Sequence, residues 1–161
     1  DIVTLGKGFG NGFRVTCVAV REPFKECFES IAASSSYGGN PMACAAALAS
    51  TEVIEEENLN EWARHLGDLA MKYMEPMKVR HPIVGDVRAR GCLMGIELVK
   101  DKATKEPYPA DLRMGHRTIL KARERGVLLR PLGNTLVVMP PLTISDHDLD
   151  LLLGVVEEII P

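Results

Sequence analysis

Apolar and polar positions change period several times along the chain, and each change marks an expected element. Ile2 to Leu5 is a short apolar run that reads as a strand. Gly6 to Gly12 is a glycine-rich loop, and Val15 to Val20 reads as a second strand. Residues 22–30 predict a short helix, with Pro23 suited to its first turn and Phe24 and Phe28 on one face. Residues 31–39 are small, polar and glycine-rich, which predicts a loop. Asn40-Pro41 then announces a helix: asparagine is a good N-cap, and proline suits the first helical position. Met42, Ala45, Ala46, Ala49 and Val53 follow at helical spacing. Asn58 reads as the cap of a continuation whose buried stripe is Leu59, Trp62, Leu66, Leu69 and Tyr73.

His81-Pro82 breaks that pattern, and from Val84 to Val99 the period falls to two. Cys92, Met94, Ile96 and Leu98 share one face, as in a half-buried strand. Residues 101–109 form a polar connection, and a helix over 111–125 is expected to end at Gly126. Val127 to Arg130 and Leu136 to Met139 predict two short strands around a Gly133-Asn134 turn. In the last helix Ser145 and Asp148 form a capping box, and Leu149, Leu152, Leu153, Val156 and Ile160 make the apolar stripe. There is no internal repeat. The composition shifts near residue 80, so the expected division is 1–79, a strand–loop–helix region, and 80–161, a small α+β unit.

Composition narrows the function. The chain has 161 residues, 46% hydrophobic and 25% charged, enough to bury a core without a disulfide or metal staple. Nineteen basic residues against 22 acidic ones leave a net charge of -3, with no basic footprint for nucleic acid or a membrane surface. No apolar run approaches the roughly 20 residues that span a bilayer. Cys17, Cys27, Cys44 and Cys92 show no metal-binding spacing, so buried thiols in a reducing, cytoplasmic compartment are expected. The chain opens mid-strand at Asp1, without an initiator methionine or signal peptide, and reads as a piece of a longer one.

The candidate chemistry lies in Asp1 to Phe13, D-I-V-T-L-G-K-G-F-G-N-G-F. A phosphate-binding P-loop would need Ser or Thr after its lysine, but Gly8 follows Lys7. A dinucleotide fingerprint would need a third glycine where Asn11 stands, and a helix where a strand follows. What remains is a lysine at the end of an apolar strand between two glycines. Such a lysine is either a solvated turn residue or, against apolar walls, a neutral amine able to attack a carbonyl. Ser34 to Pro41 places hydroxyls and glycine amides before a helix N-terminus, a natural anion site and also a common loop.

Taken together, these segments resemble the class III aminotransferases, pyridoxal-phosphate enzymes of fold type I. D-I-V-T-L-G-K-G-x-G-N-G-F resembles the family's cofactor-lysine segment, and S-Y-G-G-N-P-M-A-C-A its T-[FY]-G-G-N-P-x-A-C-A segment. V-G-D-V-R-A-R-G-C-L-M-G-I-E-L-V resembles its small-domain strands, and R-P-L-G-N…M-P-P-L-x-I its C-terminal strand pair. The resemblance covers essentially the whole chain. It implies an α/β fold: the C-terminal part of a fold type I large domain, then a small α+β domain. It makes Lys7 the Schiff-base lysine for pyridoxal 5'-phosphate. It puts Ser36, in place of the family threonine, on the cofactor phosphate of the neighbouring subunit, and so implies a homodimer. Tyr37 reads as loop packing and Asn40 as a helix cap.

Arg130 resembles the arginine that binds substrate carboxylate in the diaminopelargonate type of branch, and its planar guanidinium suits that task. The other reading is a surface arginine. The ornithine and 4-aminobutyrate type branch has its arginine where Val137 stands. Arg88 and Arg90 read as solvated or inter-strand charges. Two departures matter: Arg14 replaces the family proline after G-N-G-F, which is expected to loosen the loop, and the diaminopelargonate branch usually lacks the G-G before N-P. The expected reaction moves an amino group between an amine or amino acid and a 2-oxo acid. The family's remaining cofactor contacts match nothing in these residues, so the alternatives are a catalytically incomplete piece acting as an assembly partner, or a mutase or decarboxylase on the same fold.

Overall fold

The computed structural model describes residues 1–27 and 35–161. The chain divides into two compact units, Asp1–Leu59 and Asn60–Pro161.

In the first unit, β1 (Ile2–Leu5) and β2 (Cys17–Val20) pair antiparallel, from Ile2 opposite Val20 to Leu5 opposite Cys17. Between them Lys7–Phe9 forms a 3-10 turn. The β2 strand starts later than its apolar run, because the N–H of Val15 is spent on Phe13 O at 3.0 Å in a tight turn. Gly10 is buried inside that turn, and a Cβ there would lie 2.4 Å from both Phe13 O and Val15 Cγ1. Glu22–Phe24 is a second 3-10 turn carrying Pro23; Phe28 to Ser30 of the expected helix lie outside the described residues. Helix α1 (Pro41–Glu56) begins as expected, with Asn40 Oδ1 accepting from the N–H groups of Met42 (3.0 Å) and Ala43 (3.2 Å). Asn58 departs from its expected role: it caps nothing with its side chain, and instead takes a left-handed backbone (φ 51°) that closes the turn after α1.

The second unit is a sheet covered by helices. Its order is β3 (Val84–Arg90), β4 (Leu93–Asp101), β7 (Thr135–Val138), β6 (Arg130–Leu132), with β5 (Glu106–Pro107) also paired to β4. The period-two segment is thus two strands, not one, because Gly91 at φ 57° turns the chain between them. Met94, Ile96, Leu98, Leu136 and Val138 point from one face into the core. They meet Leu66, Ala70 and Met74 of α2 (Leu59–Met74), Met77 of α3 (Met77–Arg80), Ile119 of α4 (Met114–Glu124), and Leu149, Leu153 and Val156 of α5 (Asp146–Ile159). Ser145 caps α5 as expected, its Oγ accepting from Asp148 N at 3.0 Å.

The compact units meet at Leu59/Asn60, and Leu66, Ala70 and Met74 of α2 share their core with the sheet. Two expectations change. Val127 to Leu129 are not strand. The N–H of Val127 is spent on Ala122 O (3.0 Å) and that of Gly126 (φ 78°) on Arg123 O (3.1 Å), a Schellman ending to α4. None of the cysteines is buried: Cys27 and Cys44 are exposed, and Cys17 and Cys92 half-buried. Partial burial pushes the Cys92 thiol up from its ordinary value.

Candidate active site

Lys7 sits at the first position of its turn with φ 52°, a left-handed conformation that costs a side-chain-bearing residue energy. Its carbonyl is held by the N–H groups of Gly10 and Asn11, each at 3.2 Å. The G-x-G-N-G sequence makes this possible: Gly10 lets the chain fold back on Phe13 and Val15, and Gly12 supplies φ 108°. The lysine side chain is exposed rather than walled in by apolar groups.

Lys7 lines a cleft of about 680 Å³ with Gly12 to Thr16 on one side and Ser35 and Tyr37 to Asn40 on the other. The two segments singled out from the sequence therefore meet in one place within the first unit. Ser36 is exposed but does not line this cleft; its neighbour Ser35 does. Tyr37 is a cleft residue, 81% exposed, and not loop packing.

The donors of the cleft can be named. Asn40 consumes the first amides of α1, so the helix end is not the open donor. The turn itself is: Gly38 N and Asn40 N are used internally, whereas the N–H groups of Ser36, Tyr37 and Gly39 meet no acceptor among the described residues. A Cβ at Gly12 or Gly39 would meet no protein atom within 4 Å, so glycine leaves the backbone open there. Among the described residues no Asp or Glu lines the cleft, and Arg14 joins Lys7 as a second cation. Sequence reasoning named Arg14 only for its effect on the loop. Phe13 N to Gly10 O and Val15 N to Phe13 O close the loop, each at 3.0 Å.

Arg130 lies in the second unit, exposed on β6. It pairs with Val137, which pairs with Gly95, which pairs with Arg88. Directly opposed residues project to one face of a sheet, and this row lies on the face away from the core residues Met94, Leu136 and Val138. Arg88 is neutralised there, donating to Asp86 Oδ2 (2.8 Å) and Glu97 Oε2 (3.0 Å). These two hydrogen bonds, the stronger to Glu97, raise its pKa above the ordinary value, which bears out an inter-strand charge. Arg130 has no carboxylate partner among the described residues.

These features define the class: the chain has the fold of the pyridoxal-phosphate transaminases of fold type I. An amine transaminase from an uncultivated Pseudomonas species, solved with pyridoxal phosphate bound, superposes with a TM-score of 0.92 at 31% identity, over 99% of this chain and 38% of that one. The sequence model of the class-III aminotransferases matches residues 1–160, and the chain belongs to that family. An adenosylmethionine-8-amino-7-oxononanoate aminotransferase of Anoxybacillus flavithermus is 38% identical, over 99% of this chain and 37% of that protein. A leucine/methionine racemase of Thermococcus litoralis is 37% identical, over 93% of this chain and 33% of that protein. The chain thus spans about a third of the length of the curated relatives it matches.

Proposed function

We propose that the protein carrying this chain is a pyridoxal-phosphate-dependent aminotransferase that exchanges an amino group between an amine or amino acid and a 2-oxo acid. The carrying observation is the cleft shared by Lys7 and the Ser35–Asn40 turn, which no described Asp or Glu lines. Its residues fit a phosphorylated carbonyl cofactor: a primary amine, a second cation, hydroxyls of Thr16 and Ser35, and backbone amides left open by glycine. Bound there, pyridoxal phosphate supplies an electron sink for the carbon that loses its proton. Lys7 anchors the cofactor through Nζ, and the same amine, once free, carries the proton to and from the substrate carbon. Ser36, exposed beside the cleft and outside its lining, suits the phosphate site of an adjacent subunit, so the reading includes a homodimer. Arg130, on the open sheet face and without a carboxylate of its own, suits a substrate carboxylate.

On this reading residues 1–79 close a cofactor-binding domain and 80–161 form the smaller C-terminal one. The free thiols of Cys17, Cys44 and Cys92 and the lack of any membrane-spanning helix among the described residues support a reducing cytoplasm. A second reading keeps the cofactor and changes the reaction, because a racemase and an aminotransferase match this chain at nearly equal identity.

The test is borohydride trapping with pyridoxal phosphate, read by intact mass and peptide map. A single phosphopyridoxyl adduct confined to Lys7, lost in Lys7→Ala, is expected. Adducts scattered over many lysines, or none, would defeat the assignment of this cleft.

A further inference from the structure

We propose that Asn11 is a site of spontaneous covalent modification, at which the backbone nitrogen of Gly12 displaces the Asn11 carboxamide as ammonia and leaves a carboxylate in the turn that carries Lys7. Phe13 N donates to Gly10 O at 3.0 Å, so residues 10–13 form a β-turn with Asn11 and Gly12 as its central pair. Both have positive φ, 43° and 108°. That is the φ pattern of a type I′ turn, which favours Asn-Gly for its conformation alone. The same pair is suited to ring closure, because glycine puts no side chain in the way. A Cβ at Gly12 would meet no atom within 4 Å, and both residues are exposed. Neither the carbonyl of Asn11 nor the N–H of Gly12 has a hydrogen-bond partner among the described residues, and the Asn11 side chain has none either. The nucleophile and the carboxamide it attacks are therefore both free to move.

The other four asparagines lack this combination. Proline follows Asn40 and has no N–H to give, while Leu, Glu and Thr follow Asn58, Asn60 and Asn134. Asn40 Oδ1 is engaged by Met42 and Ala43, Asn60 stands inside α2, and Asn134 Nδ2 donates to Tyr108 O at 2.9 Å. At Asn11 the Gly12 N–Cγ bond forms as the Cγ–Nδ2 bond breaks, and the proton of Gly12 N leaves with the ammonia. Water then opens the five-membered imide. Cleavage at Cγ gives aspartate, and cleavage at the main-chain carbonyl gives isoaspartate. Water is the sole co-reactant, and nothing is oxidised. Either product adds a negative charge next to Gly12, in the cleft that Lys7 and Arg14 line as cations. Isoaspartate also routes the main chain through the side chain, lengthened by a methylene, at the residue whose N–H holds Lys7 O at 3.2 Å.

The experiment incubates the whole 161-residue chain in mildly alkaline and mildly acidic buffer, in ordinary and in heavy-oxygen water, and maps its peptides by mass. The Asn11 peptide should gain about 1 Da in ordinary water and about 3 Da in heavy-oxygen water. It should separate into two products, aspartate and isoaspartate. Conversion should be faster in the alkaline buffer, because the attacking nitrogen must give up its proton. Peptides carrying Asn40, Asn58, Asn60 and Asn134 should stay unconverted over the same time. Asn11→Gln should not convert, since its longer side chain closes a six-membered ring far less readily. Repeating the incubation in urea tests the part played by the turn. A native rate within about tenfold of the unfolded one supports a turn open to ring closure. Slower native conversion than that, an unchanged Asn11 peptide, a single aspartate product, or equal conversion at the other asparagines would overturn the assignment. None of these outcomes depends on whether the cleft binds pyridoxal phosphate, so this inference and the cofactor reading fail separately.

Discussion

One substitution, glycine to alanine, is expected to change stability in opposite directions at two helical positions of the second unit. Gly154 lies in the interior of α5, and a Cβ there would find only Tyr73 Oη, at 3.6 Å. That is an ordinary contact, so the gain in helix propensity dominates, and Gly154→Ala should stabilise by about 0.5–1 kcal/mol. Gly115 is the second residue of α4, and a Cβ there would lie 2.3 Å from Gly133 O and 3.1 Å from Pro131 Cβ. Gly133 is itself at φ 57°, so the β6–β7 turn can yield only by moving as a whole. Overpacking of this kind costs about 1–3 kcal/mol. It outweighs a propensity gain of at most ~1 kcal/mol, and Gly115→Ala should destabilise by about 1–2 kcal/mol. Trp62, the single tryptophan, packs on this core and donates Nε1–H to Ile144 O at 3.3 Å, so its fluorescence reports unfolding of this unit. With an m-value of about 1–3 kcal/mol per molar urea, each kcal/mol moves the midpoint by about 0.3–1 M. Midpoints that move the same way in both variants would refute the argument from local space.

Three further outcomes follow from the same structure. Asn40→Ala removes the acceptor for two first-turn amides of α1 and should cost about 1 kcal/mol, read as faster hydrogen exchange at Met42 and Ala43. Burial by itself would raise the carboxyl of Glu157, but the hydrogen bond and charge of Arg80, helped by His81, outweigh it and hold the group below its ordinary 4.5. A depressed folded value means this stabilisation is present above about pH 4.5 and is lost as pH falls through the folded value. The Trp62 midpoint should therefore fall with acidification below that pH, and less steeply in Glu157→Gln. Arg130→Gln should leave the stability read from urea unfolding within about 0.5 kcal/mol, as for an exposed strand residue. In the aminotransferase proposed above it should raise KM for a carboxylate-bearing substrate about tenfold or more.

Elements with a local cause were legible in the sequence. Ser145 with Asp148, and Asn40 with Pro41, carry their caps within four residues, and both helices start where those residues place them. The Lys7 turn was legible from its glycines, whereas a role for its amine came only from the resemblance of the D-I-V-T-L-G-K-G-x-G-N-G-F segment as a whole. What escaped was set by distant contacts. The apolar stripe of α2 shows that it is buried, but not which core buries it. Whether Val127 bonds to a strand or to its own helix end depends on the left-handed turn at Gly126, which periodicity does not record. Arg14 looked like a defect in the loop, because its place in the cleft depends on the Ser35–Asn40 turn some twenty residues away in the sequence. Ser36 and Ser35 could not be told apart as cleft residues by composition at all.

The left-handed backbone at Lys7 bears on how such a chain would age without selection. Glycine would sit at φ 52° without penalty, and asparagine with little, whereas lysine gives up about 1–2 kcal/mol to stay there. A descendant with no use for the amine would therefore gain stability by losing it, and drift would run toward glycine or asparagine. The lysine still present at that angle is held against the preference of its own backbone.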